Sequence, residues 1–419
     1  MKTVRLDELD FAALIRRGDT VGWAQATAEP VLLTRRLDEQ AERCPPFNLF
    51  FALSFAEGYH GDHPNVTVTS FGGGAGGRRF FGGGAGGMIP ANLSDLCALV
   101  ESGRPRIDIA LLQIAGPDAE GRYNAGIGIE ALGEAMAGAR LVVAQLNDRM
   151  PWTEGDTTIE PGLIDILVPA RSPLVEYRTP ALSPIEEAIA ANVARLVPDQ
   201  ATIELGYGAI PEAVTRALGS KKGLGVHSGA AGDGVMRLMQ AGVVDNRHKE
   251  IDAGVTVAMM LMGSPALYAF AQRNPRLHIR SPRYTHDALV LGQFRRFVAI
   301  NSALDVDLYG QCNAETASGR LIGLTGGQVD FVRAANRAPE GRSIIALQST
   351  NRDRSKSRIV ARLADGIVTT ARADADCVVT EHGIAELRGR TLAERAEALI
   401  GVADPAFRAE LRCESEQML

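Results

Sequence analysis

The chain has 419 residues, 46% hydrophobic and 22% charged, with a formal net charge of −6. That length is too great for one typical domain and points to two or three, each able to bury a sizeable core. The charge forms no strong local run, which argues against nucleic acid or an anionic membrane as the main partner.

The N-terminal stretch MKTVRLDELDFAALIRRGDTV is charged too regularly for a signal peptide, and Leu6–Arg17 reads as a helix closed by Gly18-Asp19. Thr20–Gln25 starts a strand; Ala26–Pro30 then opens a helix that extends to Arg43, where Cys44-Pro-Pro46 ends it. Leu49–Phe55 and Val66–Phe71 are buried-strand candidates. An internal echo follows, Phe71-GGGAGG-Arg78-Arg79-Phe80 and then Phe81-GGGAGG-Met88. Runs so rich in glycine suit close backbone approach or a mobile surface loop, and Arg78 and Arg79 keep an anion-binding role open. Ile107–Ile114 and Ala139–Leu146 are nearly continuous apolar strands, the pattern of a parallel sheet covered on both faces. Pro161–Pro184 carries prolines at 161, 169, 173, 180 and 184 and lacks a helical period. It reads as a linker between a first domain, 1–180, and a second, 184–419, that begins with the helix Pro184–Leu196.

In the second half, strands are predicted at Thr202–Leu205, Gly223–Val226, Val255–Leu261, Val298–Asn301, Ser343–Leu347 and Cys377–Thr380. Helices fit between most of them, notably Asp233–Ala241, Pro265–Asn274 and Thr391–Leu399. The fold class is therefore α/β, with two similar open, mostly parallel halves. Two stretches share one form, an apolar run, a small-residue turn and a helix-like segment. They are Ile203-Glu-Leu-Gly206-Tyr-Gly208-Ala-Ile-Pro211 and Leu224-Gly-Val-His227-Ser228-Gly229-Ala-Ala-Gly232-Asp233. In an open parallel sheet, ligands bind at such turns, where free backbone N–H groups point outward. The active site is expected there.

Long segments in chain order resemble the acetyl-CoA hydrolase/transferase family, in its 4-hydroxybutyrate CoA-transferase-like, class I CoA-transferase branch. They include Val142–Pro151, Gly206–Val214, Ile300–Glu315, Gly326–Phe331 and Val379–Gly389. The resemblance implies two α/β domains with a CoA thioester bound in the cleft between them. It implies a mechanism in which a glutamate attacks the acyl-CoA to form an anhydride, CoA thiolate then forms a glutamyl thioester, and an incoming carboxylate accepts the CoA. Backbone N–H donors would stabilise the oxyanion. The family motif reads His-Ser-Glu where this chain has His227-Ser228-Gly229, so Gly229 stands at the nucleophile's position. Glycine forms no anhydride.

By the same resemblance, Gly206, Tyr207, Gly208, Ala209 and Ile210 form one CoA-binding turn. Gly323, Gly326, Gly327 and Gln328 form a second. Arg342 stands where the family often has lysine; it is either a phosphate contact or a strand-flanking charge. Glu315 is the best substitute carboxylate by motif, with a supporting role as the alternative. His227 is a candidate general base activating water, or a packing residue. Asp233 reads as a helix N-cap, and Glu381-His382 as a structural pair. Glu29 and Glu57 are further carboxylates that could approach the site. His60 and His63, in Gly58-Tyr-His60-Gly-Asp62-His63, read as solvated rather than as metal ligands.

The substrates implied are an acyl-CoA with a small carboxylic acid or water, with no permanently bound cofactor and no metal. The reading is a CoA-transferase or, because of Gly229, a water-using acyl-CoA hydrolase; the alternative is an inactive CoA-binding subunit or regulator. The five cysteines form no CxxC and no disulfide framework, and no apolar run approaches the ~18 residues that span a membrane. A cytoplasmic homodimer or higher homo-oligomer is expected.

Overall fold

The computed structural model describes residues 1–419 except 52, 56, 57, 62, 73–85, 365 and 419. The second GGGAGG run therefore lies largely outside the described residues, as do most of the first, Arg78, Arg79 and Glu57. The chain forms two units. The first comprises Met1–Arg178 with Val257–Thr285 and Leu321–Leu324; the second comprises Thr179–Thr256, His286–Arg320 and Thr325–Leu419. The main divide thus falls inside the proline-rich stretch, while two later segments cluster with the first unit.

Among the described residues, the first unit holds an eight-stranded sheet. Its order is Lys2–Thr3, Ile166–Pro169, Leu141–Leu146, Ile109–Ile114, Thr20–Trp23, Phe47–Phe50, Val66–Ser70, Gly86–Met88. Every neighbouring pair is parallel. The central strand Ile109–Ile114 is buried at every position, as its unbroken apolar run requires. Leu33, Leu37, Leu49, Phe51 and Ile109 pack into one core with Trp23, whose ring stacks on Phe51 at 5.0 Å. The second unit carries the strands Gly383–Glu386, Cys377–Thr380, Arg342–Ala346, Phe297–Ser302, Thr202–Leu205 and Gly225–Ala231 in that order. They are parallel except for the antiparallel pair Cys377–Thr380/Gly383–Glu386. Both units are thus open, mostly parallel α/β sheets. No helix among the described residues is long and apolar enough to cross a membrane.

Helix boundaries follow local chemistry. Pro184–Leu196 starts on a capping box: Ile185 N–H donates to Ser183 Oγ at 3.3 Å, and Ser183 N–H donates to Glu186 Oε2 at 2.8 Å. Thr391 and Glu394 repeat that device before Leu392–Val402. The expected helix Leu6–Arg17 breaks into Leu6–Glu8 and Phe11–Leu14, because Asp10 accepts from Ala12 N–H and starts a new turn. The expected helix from Ala26 begins only at Val31: Ala26 sits at φ +54°, and Pro30 is the cap rather than an interior residue. The proline-rich stretch is not only a linker. Its Ile166-Leu-Val run pairs with Leu141–Leu146, and Pro169 falls at the strand's last position.

Candidate active site

The strand predicted at Gly223–Val226 instead runs Gly225–Ala231, so His227, Ser228 and Gly229 lie in a strand and not in a turn. The turn shrinks to Gly232, which caps the helix Asp233–Gln240. Asp233 is accordingly the first helical residue rather than the N-cap, an acid placed in the first turn. Sheet pairing overrides the turn preference of these small residues. His227 is buried, its ring edge-on to Phe294 at 5.1 Å. The Ser228 hydroxyl donates to Leu205 O at 2.9 Å and accepts from Leu205 N–H at 3.2 Å, tying this strand end to its neighbour.

Gly229 faces His286. A Cβ on Gly229 would stand 3.2 Å from His286 Nε2 and 3.6 Å from Phe331. A Cβ on Gly327 would come within 2.4 Å of the same nitrogen. The imidazole therefore occupies the space over two glycines, one inside the strand Gly225–Ala231 and one capping the helix Gln328–Arg337. His286 is 1% exposed and packs on Phe331 with ring centroids 4.6 Å apart. Burial pushes its pKa down to about 3, so the ring is neutral. Beneath lies an aromatic core of Phe294, Phe297 and Phe331; burying each such ring stabilises by roughly 1.5–3 kcal/mol.

Gly206, Tyr207, Gly208, Ala209 and Ile210 form the turn from Thr202–Leu205 into the helix Ala209–Ala217. Gly208 is that helix's N-cap at φ +124°, ψ −174°, a conformation essentially reserved to glycine. Tyr207 is 44% exposed. A turn that presents the first helical N–H groups outward has the character of an anion site.

The remaining expected residues are spread more widely. Gly326, at φ +57°, precedes Gly327, and Gln328 Nε2 donates to Thr370 Oγ1 at 2.9 Å. Gly323 lies in the segment that belongs to the first unit. The Arg342 guanidinium is held by Asp376 at 3.0 Å and Glu386 at 3.1 Å, the arrangement of a strand-flanking charge. Glu315 is buried, its carboxylate accepting from Thr369 Oγ1 at 2.8 Å and Thr325 Oγ1 at 3.4 Å. Glu381 accepts from the Ser349 N–H and hydroxyl, and His382 lies between Glu381 and Asp404, as a structural group would. In the first unit, Glu29 is fully buried and accepts from Thr34 Oγ1 at 2.9 Å and Ser54 Oγ at 2.5 Å. His63, expected to be solvated, is instead only partly exposed and bonded to Asp38 at 3.0 Å. Among the described residues no group of three or more His, Cys, Asp or Glu is placed to hold a metal.

Sequence reasoning missed three groups. His286 sits in no motif; only the fold brings it to Gly229. Glu204 is buried, and Asn301 Nδ2 donates to its Oε2 at 2.7 Å. Burial pushes its pKa up to about 8, against the lowering effect of Asn301. Continuing the register Thr202↔Gly225 and Ile203↔Val226 sets Glu204 beside His227. An acid inside an otherwise apolar strand was the signal available. Lys249 is buried too, its ammonium donating to Val226 O at 3.1 Å and Val255 O at 2.7 Å, which anchors the strand that carries His227.

Against known proteins, residues 3–172 match the acetyl-CoA hydrolase/transferase N-terminal domain, and residues 263–415 match its C-terminal domain. The 4-hydroxybutyrate coenzyme A transferase of Clostridium kluyveri is 42% identical over 77% of this chain and 75% of that protein. The chain belongs to the acetyl-CoA hydrolase/transferase family. A succinyl-CoA:cyclohexane-1-carboxylate CoA transferase from Geobacter metallireducens is 33% identical over 96% of this chain and 93% of its own length. Among solved structures, RipA from Yersinia pestis superposes with a TM-score of 0.92 at 29% identity, covering 100% of this chain and 97% of that one. The sequence resemblance and the two-domain class I CoA-transferase fold it implied are thus borne out.

Proposed function

We propose that this chain is an enzyme that hydrolyses small acyl-CoA thioesters, with water taking the part of the carboxylate nucleophile. One observation carries this reading: position 229 offers no carboxylate, and a side chain there would require the His286 ring, 3.2 Å from the Cβ position, to give way. Glu315, the substitute suggested by motif, has its carboxylate committed to Thr369 and Thr325. The CoA moiety would be held by the turn Gly206–Ile210, which leads into the helix Ala209–Ala217, a helix N-terminus suited to a phosphate or the thioester oxygen. The second turn, Gly326–Gln328, would contribute further N–H groups. Water adds to the thioester carbonyl, the oxyanion is stabilised by these amides, and CoA leaves as the thiolate. Neither a resident cofactor nor a metal is required.

The test is to incubate the purified protein with a panel of acyl-CoAs, with and without acetate, and to follow products by mass spectrometry. Free CoA formed without any carboxylate acceptor is the expected result. New acyl-CoA species that form only with acetate would instead make the chain a transferase. CoA binding without turnover would make it a binding subunit.

A further inference from the structure

The first unit encloses a cavity of about 30 Å³, room for about two waters. On the sheet it is lined by Gly22 and Ala110, partners across the strands Thr20–Trp23 and Ile109–Ile114. Strand order reverses between these two: the chain builds outward from Thr20–Trp23 to Gly86–Met88 on one side, then returns to build the other. Such a reversal leaves a crevice in an open parallel sheet. The helices Leu93–Glu101 and Leu132–Gly138 line the cavity through Leu96, Val100, Leu132 and Ala135.

Glu130 is the one titratable residue among those lining it. It is 9% exposed, and among the described residues its carboxyl takes part in no hydrogen bond or ion pair. Its backbone sits at φ +37°, a left-handed conformation that strains a residue with a side chain. Directly after it, Ala131 caps the helix Leu132–Gly138 with no side-chain hydrogen bond. Burial pushes the pKa of the Glu130 carboxyl up to about 8. No charge on the surrounding elements opposes this. On the two helices, Glu101 and Glu134 are both bonded to Arg283, and Asp95 is exposed. Cys97 lies beside Ser281 and stays a neutral thiol, pushed up to about 11 by burial. At the strand starts, Asp19 pairs with Arg140 and Asp108 with Arg106. The strands Phe47–Phe50 and Thr256–Leu261 carry no charged residue.

We propose that Glu130 is a proton-dependent latch. Neutral, it seats in this cavity and keeps the helix Leu132–Gly138 closed on the sheet; ionised, it leaves the cavity and the helix lifts with it. A carboxylate finds no cation or donor side chain here to replace its hydration, whereas a neutral carboxyl needs only a water, for which there is room. The same movement releases the strained φ of Glu130. Linkage fixes the sign. The closed state binds the proton more tightly than the open one, so the contribution to closure is complete below about pH 4.5 and lost as pH rises through about 8. Nothing in this latch depends on how the chain handles its thioester.

Hydrogen exchange of the full-length chain, read by mass spectrometry from pH 5 to pH 9, tests it on wild type, E130Q and E130L. Dividing each rate by that of E130Q at the same pH cancels the intrinsic pH dependence of amide exchange. For wild-type peptides covering 93–101 and 130–138, the ratio is expected to rise about tenfold per pH unit up to about pH 8 and then level off. Peptides covering 184–196, in the second unit, should hold a constant ratio, and E130L should match E130Q everywhere. A wild-type ratio that stays constant from pH 5 to pH 8 at both helices overturns the latch. A rise spread evenly over the whole first unit also overturns it, because the opening would then be global. An E130L as pH-dependent as wild type overturns the assignment to Glu130. Should E130Q fail to fold, wild-type rates are divided by those of the unfolded chain instead; protection that does not fall with pH over the same interval again overturns the latch.

Discussion

At Gly208 the backbone sits at φ +124°, and a Cβ there would meet nothing nearer than Pro211 at 4.0 Å. Gly229 has no left-handed φ, yet a Cβ there would stand 3.2 Å from an imidazole. Gly208 caps the helix that follows one strand of the sheet and Gly229 lies within the neighbouring strand, but one serves conformation and the other room. The first leaves its surroundings open beside an exposed Tyr207, as a ligand cradle needs. The second region is filled, with a neutral histidine pressed over two glycines and an aromatic core below. A glycine-rich strand end is therefore not one kind of site. What it accommodates depends on what the fold brings against it.

The contrast predicts different costs. G327A places a methyl 2.4 Å from His286 Nε2 and is expected to destabilise by about 3 kcal/mol, the upper end for overpacking. Combined with H286N it should cost clearly less than the sum of the two single changes, as measured by a double-mutant cycle in chemical denaturation. G208A is expected to cost about 2 kcal/mol through backbone strain, and H286N should bring no relief. If H286N rescued G208A, the two regions would not be separable.

A graded effect comes from the carboxyl beside His227. Glu204 titrates near 8 in the folded chain and near its ordinary value of about 4.3 when unfolded. The folded state therefore holds the proton more tightly, and its contribution is complete below about pH 4.3 and lost as pH rises through 8. Denaturation at pH 5 and pH 9 should show wild type losing more stability than E204Q over that interval; equal losses would remove Glu204 from the account. The smallest effect is expected from G206A, whose added Cβ meets only Pro211 at 3.9 Å. Its stability should stay within about 0.5 kcal/mol of wild type. Any change should appear in KM for acyl-CoA, because the methyl approaches the proposed cradle.

Some of this was legible in the residues themselves. Continuous apolar runs such as Ile109–Ile114 have the pattern of a buried parallel strand, and Ser183–Glu186 announces a helix start through its own side chains. The motifs around Asn147, Asn313 and Glu381 carried the family. These signals are local: periodicity, capping and motif spacing depend on residues near one another in the chain. The tertiary structure decided the rest. His227-Ser228-Gly229 became strand because the strand Gly225–Ala231, which pairs with Thr202 and Ile203 at its start and is tied to Leu205 by the Ser228 hydroxyl, runs on through residues that prefer turns. The Pro161–Pro184 stretch gained a strand for the same reason. His286 lies 57 positions after Gly229 in the numbering, outside any motif. No local rule connects the two; only the packed fold sets one against the other, because steric exclusion acts between surfaces and not along the sequence.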